Sequence, residues 1–239
     1  MLQAGAIPVD CIRPSFPRRK EKGPPMTFQI GMVGSDGIVI VGDTWQYVEP
    51  KDRSWYGFQA SKMRLSESAQ IGVAAARDMT TSLRVADQII ATLDPSSEYS
   101  NRREKILNVV STIGEGHDSE FLIALSQPEP SLYWAACNKD GQSNSLEVFD
   151  RLAIGDVHNL AFFWATSYYR STLNISQLAR LGALAVISAS RLNSGSVGGL
   201  EVMECKKEGC RMWPRSETSV LFSEISSLAD QIGSLIFQG

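Results

Sequence analysis

Three polar residues, which lie close to the first apolar segments of the chain, have side chains that could take part in nucleophilic catalysis. Thr27 directly precedes an alternating stretch, Asp43 follows sixteen residues later, and Lys62 lies nineteen residues beyond Asp43. A threonine hydroxyl is a poor nucleophile unless a base accepts its proton, and nearby charges stabilise the ionised form. Each residue also has an ordinary interpretation: a threonine that begins a strand, an aspartate that ends one, and a surface lysine. The residue types alone therefore leave the function open.

The sequence between Thr27 and Asp43 predicts a β-hairpin. Residues 28–33 alternate, residues 34–37 (Gly-Ser-Asp-Gly) have hairpin-turn chemistry, and residues 38–42 form a nearly continuous apolar run. A continuous run of this length is typical of a strand that is buried on both faces. We therefore expect the folded sequence to begin with this hairpin.

Beyond the hairpin, the apolar pattern alternates between strands and helices. Residues 44–61 show little periodicity. The predicted strands are 62–66, 69–76, 121–125, 131–137, 146–154, 199–205 and 210–213, and the predicted helices are about 78–93, 99–113, 157–170 and 175–192, with a last helix striped by Leu221, Ile225, Leu228, Ile232 and Leu235. Paired helices between antiparallel strand sets must pack on the outer faces of sheets. We therefore predict an α+β fold, a four-layer αββα sandwich.

The helix predicted at 175–192 is apolar on nearly all sides. Such a helix is buried on several sides, so we expect it to lie between a sheet and another element. A second subunit is one candidate for that element, which points to assembly.

Composition and charge exclude several classes of protein. The chain has 239 residues, 43% of them hydrophobic, and a net charge of -3, without the basic excess that nucleic-acid binding requires. Its apolar runs are shorter than the roughly 18 residues of a membrane span, and residues 1–25 lack the apolar core of a secretory signal. We expect a cytoplasmic protein with no nucleic-acid or membrane partner. Residues 1–26 are interpreted as a disordered extension or propeptide, and 27–239 as one domain.

The cysteines do not predict a metal site. Cys205 and Cys210 are close in sequence, but two thiols without a second Cys or His pair do not bind zinc. We interpret them as strand residues that flank a hairpin turn, with a cross-strand disulfide as the alternative. No metal or organic cofactor is expected.

Three segments resemble proteasome β subunits and their bacterial relative, the HslV peptidase. Residues 26–43 have the order Thr, strand, Gly, polar-Asp-Gly turn, apolar strand and Asp. Residues 61–65 resemble the Lys-Ile-x-x-Leu element of that family, and residues 70–78 resemble its Gly-x-x-Ala-Gly segment before the first helix. The order of helices and strands is similar over about 27–239.

This resemblance implies a threonine-type peptidase of the N-terminal-nucleophile (Ntn) hydrolase class. Thr27 would be the first residue of the mature chain, and its own α-amine, with an ordinary pKa of about 7.7–8.0, would accept the hydroxyl proton. Lys62 would favour the alkoxide-like oxygen, with Asp43 as its buried counter-ion. The backbone N–H of Ala76 would bind the oxyanion, and Ser194 would orient the amine.

Several positions differ from the family pattern. Ala76 stands where the family commonly has Gly, and Trp45 where it commonly has Arg. The family's Gly-Ser-Gly is Ala-Ile-Gly-Asp at 153–156, where Asp156 could supply a carboxylate or mark a turn, and its Asp-x-x-Ser-Gly is Ser-Gly-Ser-Val-Gly at 194–198. Two alternatives therefore stay open: a catalytically inactive proteasome-like scaffold or assembly subunit, and a small-molecule Ntn amidase.

The implied chemistry requires a free amine on Thr27. The family commonly has Gly before the threonine, where this chain has Met26. Either Met26 is an initiator that an aminopeptidase removes, or residues 1–26 are a propeptide that is cleaved off. The resemblance also implies a peptide or unfolded-protein substrate and a ring-like homo-oligomer, and it leaves open whether an unfoldase is a partner.

Overall fold

Two five-stranded antiparallel sheets, a two-stranded ribbon and five α-helices make up the described part of this computed structural model, residues 27–48, 56–93, 99–155, 160–192 and 197–237. In chain order the strands are β1 (Phe28–Gly34), β2 (Gly37–Gly42), β3 (Trp45–Val48), β4 (Tyr56–Gln59), β5 (Met63–Leu65), β6 (Ile71–Arg77), β7 (Ser119–Leu125), β8 (Ser131–Cys137), β9 (Ser143–Val148), β10 (Arg151–Gly155), β11 (Glu201–Lys206) and β12 (Gly209–Met212). The helices are α1 (Met79–Thr92), α2 (Tyr99–Ile113), α3 (Leu160–Tyr168), α4 (Ile175–Leu192) and α5 (Arg215–Phe237). The predicted mixture of helices and antiparallel strands is confirmed. The predicted extension, 1–26, lies outside the described residues.

The first sheet has the strand order β10-β1-β2-β11-β12. Its strands β1 and β2 form the predicted hairpin, with Gln29 opposite Gly42. Because the two strands of a hairpin run in opposite directions, the residue before β1 and the residue after β2 lie at the same end of the sheet. Thr27 and Asp43 occupy these two positions.

The second sheet has the strand order β5-β6-β7-β8-β9. Lys62 directly precedes β5, and its carbonyl oxygen accepts a hydrogen bond of 3.0 Å from the N–H of Ala75 on β6. The side chain of Asp78 caps the following helix, α1, by accepting from the N–H of Thr81 at 3.2 Å. This cap fixes the point where β6 ends and α1 begins.

Apolar side chains pack in three clusters. The first cluster joins the first sheet to α3, α4 and α5, the second joins the second sheet to α1 and α2, and the third contains residues of both sheets. Along β2, Val39 and Val41 belong to the first cluster, whereas Ile38 and Ile40 belong to the third. Both faces of β2 are therefore buried, which explains the continuous apolar run in the sequence.

Helix α4 is covered within the chain itself. It packs on β2 and β1, and α3 and α5 contact its other sides. The prediction that α4 lies between a sheet and another element is confirmed. That element consists of α3 and α5, so the burial of α4 does not require a second subunit.

The strand predicted at 146–154 is wrong as a single element. The chain turns at Phe149 and Asp150, so β9 belongs to the second sheet and β10 to the first. The carbonyl of Asp150 accepts from the N–H of Val33 at 2.7 Å, and the Phe149 side chain is 77% exposed. Apolar side chains continue on both sides of this turn, which is why the sequence reads as one strand.

Residues 44–61, for which no element was predicted, contain the ribbon of β3 and β4. Farther along, Cys205 and Cys210 are paired across the β11–β12 hairpin and form a disulfide. The structure therefore has the cross-strand bond that was the alternative interpretation of their spacing. Among the described helices, none is long and apolar enough to span a bilayer.

Candidate active site

The side chains of Thr27, Asp43 and Lys62 meet where the two sheets face each other. Lys62 Nζ donates to Thr27 Oγ1 at 3.1 Å and to Asp43 Oδ2 at 2.8 Å. The side chains of Lys62 and Asp43 have no exposed surface, and Thr27 is 7% exposed. The family resemblance thus singled out three residues that are neighbours in space, and their catalytic role stays a prediction.

Backbone groups hold the carboxylate of Asp43 in place. Asp43 Oδ1 accepts from the N–H of Phe28 at 2.9 Å, and Oδ2 accepts from the N–H of Trp45 at 3.1 Å. The N–H of Asp43 in turn donates to the carbonyl of Phe28 at 3.1 Å. The open end of the β1–β2 hairpin therefore fixes the carboxylate beside Thr27, and the carboxylate orients Lys62.

Burial acts against the charges of this pair. Burial raises the pKa of Asp43 above its usual value, and the attraction to Lys62 offsets part of that rise. Burial likewise lowers the pKa of Lys62, against the opposing effects of Asp43 and Glu201. The two shifts have the same cause, because burial disfavours the charged form of each group, and the attraction between the two groups opposes both shifts.

Glu201, which was not predicted from the sequence, is a second buried carboxylate beside Lys62. Its Oε1 accepts from the backbone N–H of Lys62 at 2.9 Å, and its Oε2 accepts from Ser61 Oγ at 2.7 Å. Burial raises the pKa of Glu201 to about 7. The signal in the sequence was a single acidic residue between the apolar Leu200 and Val202.

Gly155 packs directly against the backbone of Thr27. It lies opposite Phe28 in the β1–β10 pair, with a φ of +86°. A Cβ at this position would be 1.9 Å from the carbonyl oxygen of Thr27, so a larger residue cannot fit without movement. Glu120 Oε2 accepts from the Gly155 N–H at 2.7 Å and lies 3.3 Å from Arg77 Nε. Neither Glu120 nor Arg77 was predicted as a site residue.

The peptide groups around Ala76 point in alternate directions. The carbonyl of Ala75 accepts from Gln29 Nε2 at 2.8 Å, and the carbonyl of Ala76 accepts from Ser82 Oγ at 2.9 Å. The C=O and N–H of one trans peptide point in opposite directions. The N–H of Ala76 is therefore directed to β7 and that of Arg77 to the side of β5. The oxyanion donor expected at Ala76 stays a prediction, and the geometry favours its neighbour.

Two other candidates, Ser194 and Asp156, lie outside the described residues. Ile154, in the Ala-Ile-Gly-Asp segment that stands where the resembling family has Gly-Ser-Gly, is buried in the cluster shared by the two sheets. Within the described ranges no three His, Cys, Asp or Glu side chains are grouped as metal ligands.

Two solved structures have a fold similar to that of this chain. One is an Anbu (Gly-1) mutant from Hyphomicrobium sp. strain MC1, with 16% identity and a TM-score of 0.64, covering 87% of this chain and 97% of the other. The second is Anbu from Yersinia bercovieri, described as an ancestral β-subunit, with 15% identity and a TM-score of 0.65, covering 89% of this chain and 97% of the other. The chain has the fold of Anbu.

The similarity to Anbu confirms, at the level of the fold, the predicted resemblance to proteasome β subunits and HslV. No protein-family model and no curated sequence matches the chain. With identities of 15–16%, the similarity to Anbu carries the architecture alone, and the function must be argued from the side chains.

Proposed function

We propose that the protein is an Ntn hydrolase of the threonine peptidase type, with Thr27 as its nucleophile. The hydrogen bond from Lys62 Nζ to Thr27 Oγ1, at 3.1 Å, is the observation that carries this proposal. A fully buried lysine is rare unless it is paired, and here it is paired with a carboxylate and with a hydroxyl that has no structural need for an ammonium.

The reaction begins when the free α-amine of Thr27 accepts the hydroxyl proton. Oγ1 bonds to the carbonyl carbon of an amide, and the Lys62 ammonium stabilises the oxygen while it loses its proton. The resulting oxyanion accepts from a backbone N–H, for which we propose Arg77 in place of the predicted Ala76. Collapse breaks the C–N bond, and the protonated α-amine gives its proton to the leaving amine. Water then hydrolyses the acyl ester with the same amine as base.

The finer features of the fold belong to the same proposal. The three apolar clusters support a four-layer αββα sandwich, formed by residues 27–239 as one domain, with 1–26 as an extension or propeptide. Phe163 and Tyr168 on α3 are 59% and 57% exposed, which supports a homo-oligomer, ring-like as in the resembling family. We propose a cytoplasmic protein whose substrate is a peptide or an unfolded protein.

A catalytically silent scaffold is the second candidate. It is favoured by the segment Ala-Ile-Gly-Asp at 153–156, which has no serine where the resembling family has Gly-Ser-Gly and whose Ile154 is 1% exposed. A site that lacks that hydroxyl could keep the fold and the buried ion pair without turning over a substrate. An Ntn amidase that acts on small amides would share the chemistry of Thr27 and differ in substrate.

The test compares two chains that differ by one residue. The first begins at Thr27, and the second carries one extra glycine before Thr27, which keeps the hydroxyl and removes the free amine. We expect the first chain to hydrolyse members of a fluorogenic peptide library and the second to be inactive. Equal rates would contradict the role of the α-amine, no turnover by either chain would favour the scaffold, and turnover of simple amides alone would favour the amidase.

A further inference from the structure

We propose that Glu201 is a positioning residue, which holds Lys62 against Thr27 by binding the main chain of Lys62. This inference rests on the proposed function, because its consequence is the reactivity of Thr27. Glu201 does not contact the nucleophile itself. It lies on β11 of the first sheet, whereas Lys62 enters β5 of the second. The Glu201 carboxylate therefore ties the two sheets together at the site.

The main-chain pairing of Lys62 with Ala75 shows why a carboxylate is needed. The N–H of Ala75 donates to the carbonyl of Lys62 at 3.0 Å, as in a regular antiparallel pair. In such a pair the N–H of Lys62 would donate to the carbonyl of Ala75. It donates instead to Glu201 Oε1 at 2.9 Å, while the carbonyl of Ala75 accepts from Gln29 Nε2 at 2.8 Å.

Two side chains of the first sheet thus take the place of one main-chain hydrogen bond in the second sheet. Glu201 accepts from the N–H that would have donated, and Gln29 donates to the carbonyl that would have accepted. Glu201 and Gln29 lie on strands that flank β2, and each is buried, at 6% and 0% exposure. The second oxygen of Glu201 accepts from Ser61 Oγ at 2.7 Å, so the two residues that precede β5 are both held. A polar link of this kind fixes where the Lys62 side chain starts, and therefore where its Nζ ends.

The ionised form of Glu201 is the one that fits this role. A carboxylate accepts both bonds, whereas a carboxylic acid would have to donate to Ser61 Oγ, whose own proton would then turn to the carbonyl of Met63, 3.1 Å away. The charged groups that face Glu201 are Lys62, which enters β5, and Asp43, which follows β2. Burial raises the pKa of Glu201 to about 7, so its ionisation falls within the working range of a neutral hydrolase.

We therefore expect two protonation events to lower the activity as the pH falls. The α-amine of Thr27 must lose a proton, and Glu201 must lose a second one. In the wild-type chain we expect log(kcat/KM) to rise with a slope that approaches 2 below the two pKa values. In Glu201→Gln the slope should be 1, because only the amine titrates.

The Gln variant should also be slower at pH 8, where both carboxylate bonds exist in the wild type. The amide can replace one acceptor only, and displacement of a catalytic group by about 1 Å costs about 100-fold. We expect kcat to fall by about 10- to 100-fold with little change in KM. Glu201→Asp keeps a carboxylate and should keep the steeper slope with a smaller loss of kcat.

Glu204→Gln is the matched control for Glu201→Gln. Glu204 lies on the same strand and is 8% exposed, but it binds Arg211 and Trp213 and not Lys62. We expect this variant to keep the wild-type kcat and slope.

The outcomes separate the inference from the proposed function. If the wild-type chain that begins at Thr27 neither hydrolyses peptides nor reacts with a β-lactone, the proposed function fails. If it is active and Glu201→Gln behaves like Glu204→Gln, the role of Glu201 is wrong. An active wild-type chain with a slope of 1 also overturns it, so the inference stays testable even if Glu201→Gln does not fold.

Discussion

Replacing Lys62 with methionine is expected to destabilise the protein strongly and to abolish activity. Lys62 Nζ lies 2.8 Å from Asp43 Oδ2, and neither side chain has exposed surface. Removal of one partner from a buried ion pair leaves an uncompensated charge, at a cost of about 3–5 kcal/mol. Two backbone N–H groups still bind the Asp43 carboxylate, so we expect the lower end of this range.

A second substitution separates the structural effect from the catalytic one. In Lys62→Met combined with Asp43→Asn, no charge remains buried, and we expect at least half of the lost stability to return. Activity should stay absent, because the contact with Thr27 Oγ1 is not restored. Urea unfolding at pH 8, followed by circular dichroism, gives the free energies of unfolding for the single and double variants.

The pH dependence of the single variant provides an internal check. Without Lys62, the pKa of Asp43 rises further, because only burial and two N–H bonds act on it. The folded state then holds its proton more tightly than the unfolded state, so the loss of stability should shrink as the pH falls. A single variant that costs less than about 1 kcal/mol, or a double variant no more stable than the single, would refute the buried pair as described.

Three further changes test other parts of the structure. Gly155→Ala should lower stability and reduce kcat by about 100-fold or more, because its Cβ would displace the carbonyl of Thr27. Gly116→Ala is the control: Gly116 has a φ of +78° and open space around it, so this variant introduces the backbone strain alone and should keep kcat. The pKa of Glu201 rises from its usual 4.5 to about 7, so the stability of the wild type relative to Glu201→Gln should fall by about 3 kcal/mol between pH 4.5 and 7. Asp78→Ala removes the cap of α1, which directly follows the proposed oxyanion donor Arg77, and should cost about 1 kcal/mol in urea unfolding and lower kcat.

Each of these changes has an outcome that contradicts it. Equal kcat values for Gly155→Ala and Gly116→Ala would mean that Thr27 is not held as described. A stability difference that stays constant with pH would place Glu201 in an ordinary solvated environment. An unchanged unfolding free energy for Asp78→Ala would show that α1 does not depend on its cap.

Local patterns were sufficient to predict the elements that carry Thr27 and Asp43. The Gly-Ser-Asp-Gly turn and the two flanking runs predicted the hairpin, and a hairpin brings its two ends together whatever surrounds it. Lys62 came from the family resemblance and not from spacing, since a ribbon of two strands intervenes. The resemblance identified Thr27 and Asp43 together because both lie in one continuous stretch, residues 26–43.

Residues from distant strands were beyond the reach of local patterns. Glu201 and Glu120 lie on β11 and β7, and each is an isolated acidic residue in a strand, a position that commonly faces solvent. Only the packing of the two sheets brings them to the site. The turn at Phe149 was missed for a related reason. Tertiary packing determines that β9 and β10 join different sheets, and the apolar pattern of the sequence is the same on both sides of the turn.

Mass spectrometry of a covalent adduct tests the central claim most directly. A β-lactone acylates a nucleophilic oxygen, so the chain that begins at Thr27 should gain the mass of one probe molecule, and fragmentation should place it on Thr27. Addition of a single glycine before Thr27 should prevent the reaction. A folded chain that begins at Thr27 and remains unmodified, or that carries the probe on another residue, would contradict the account.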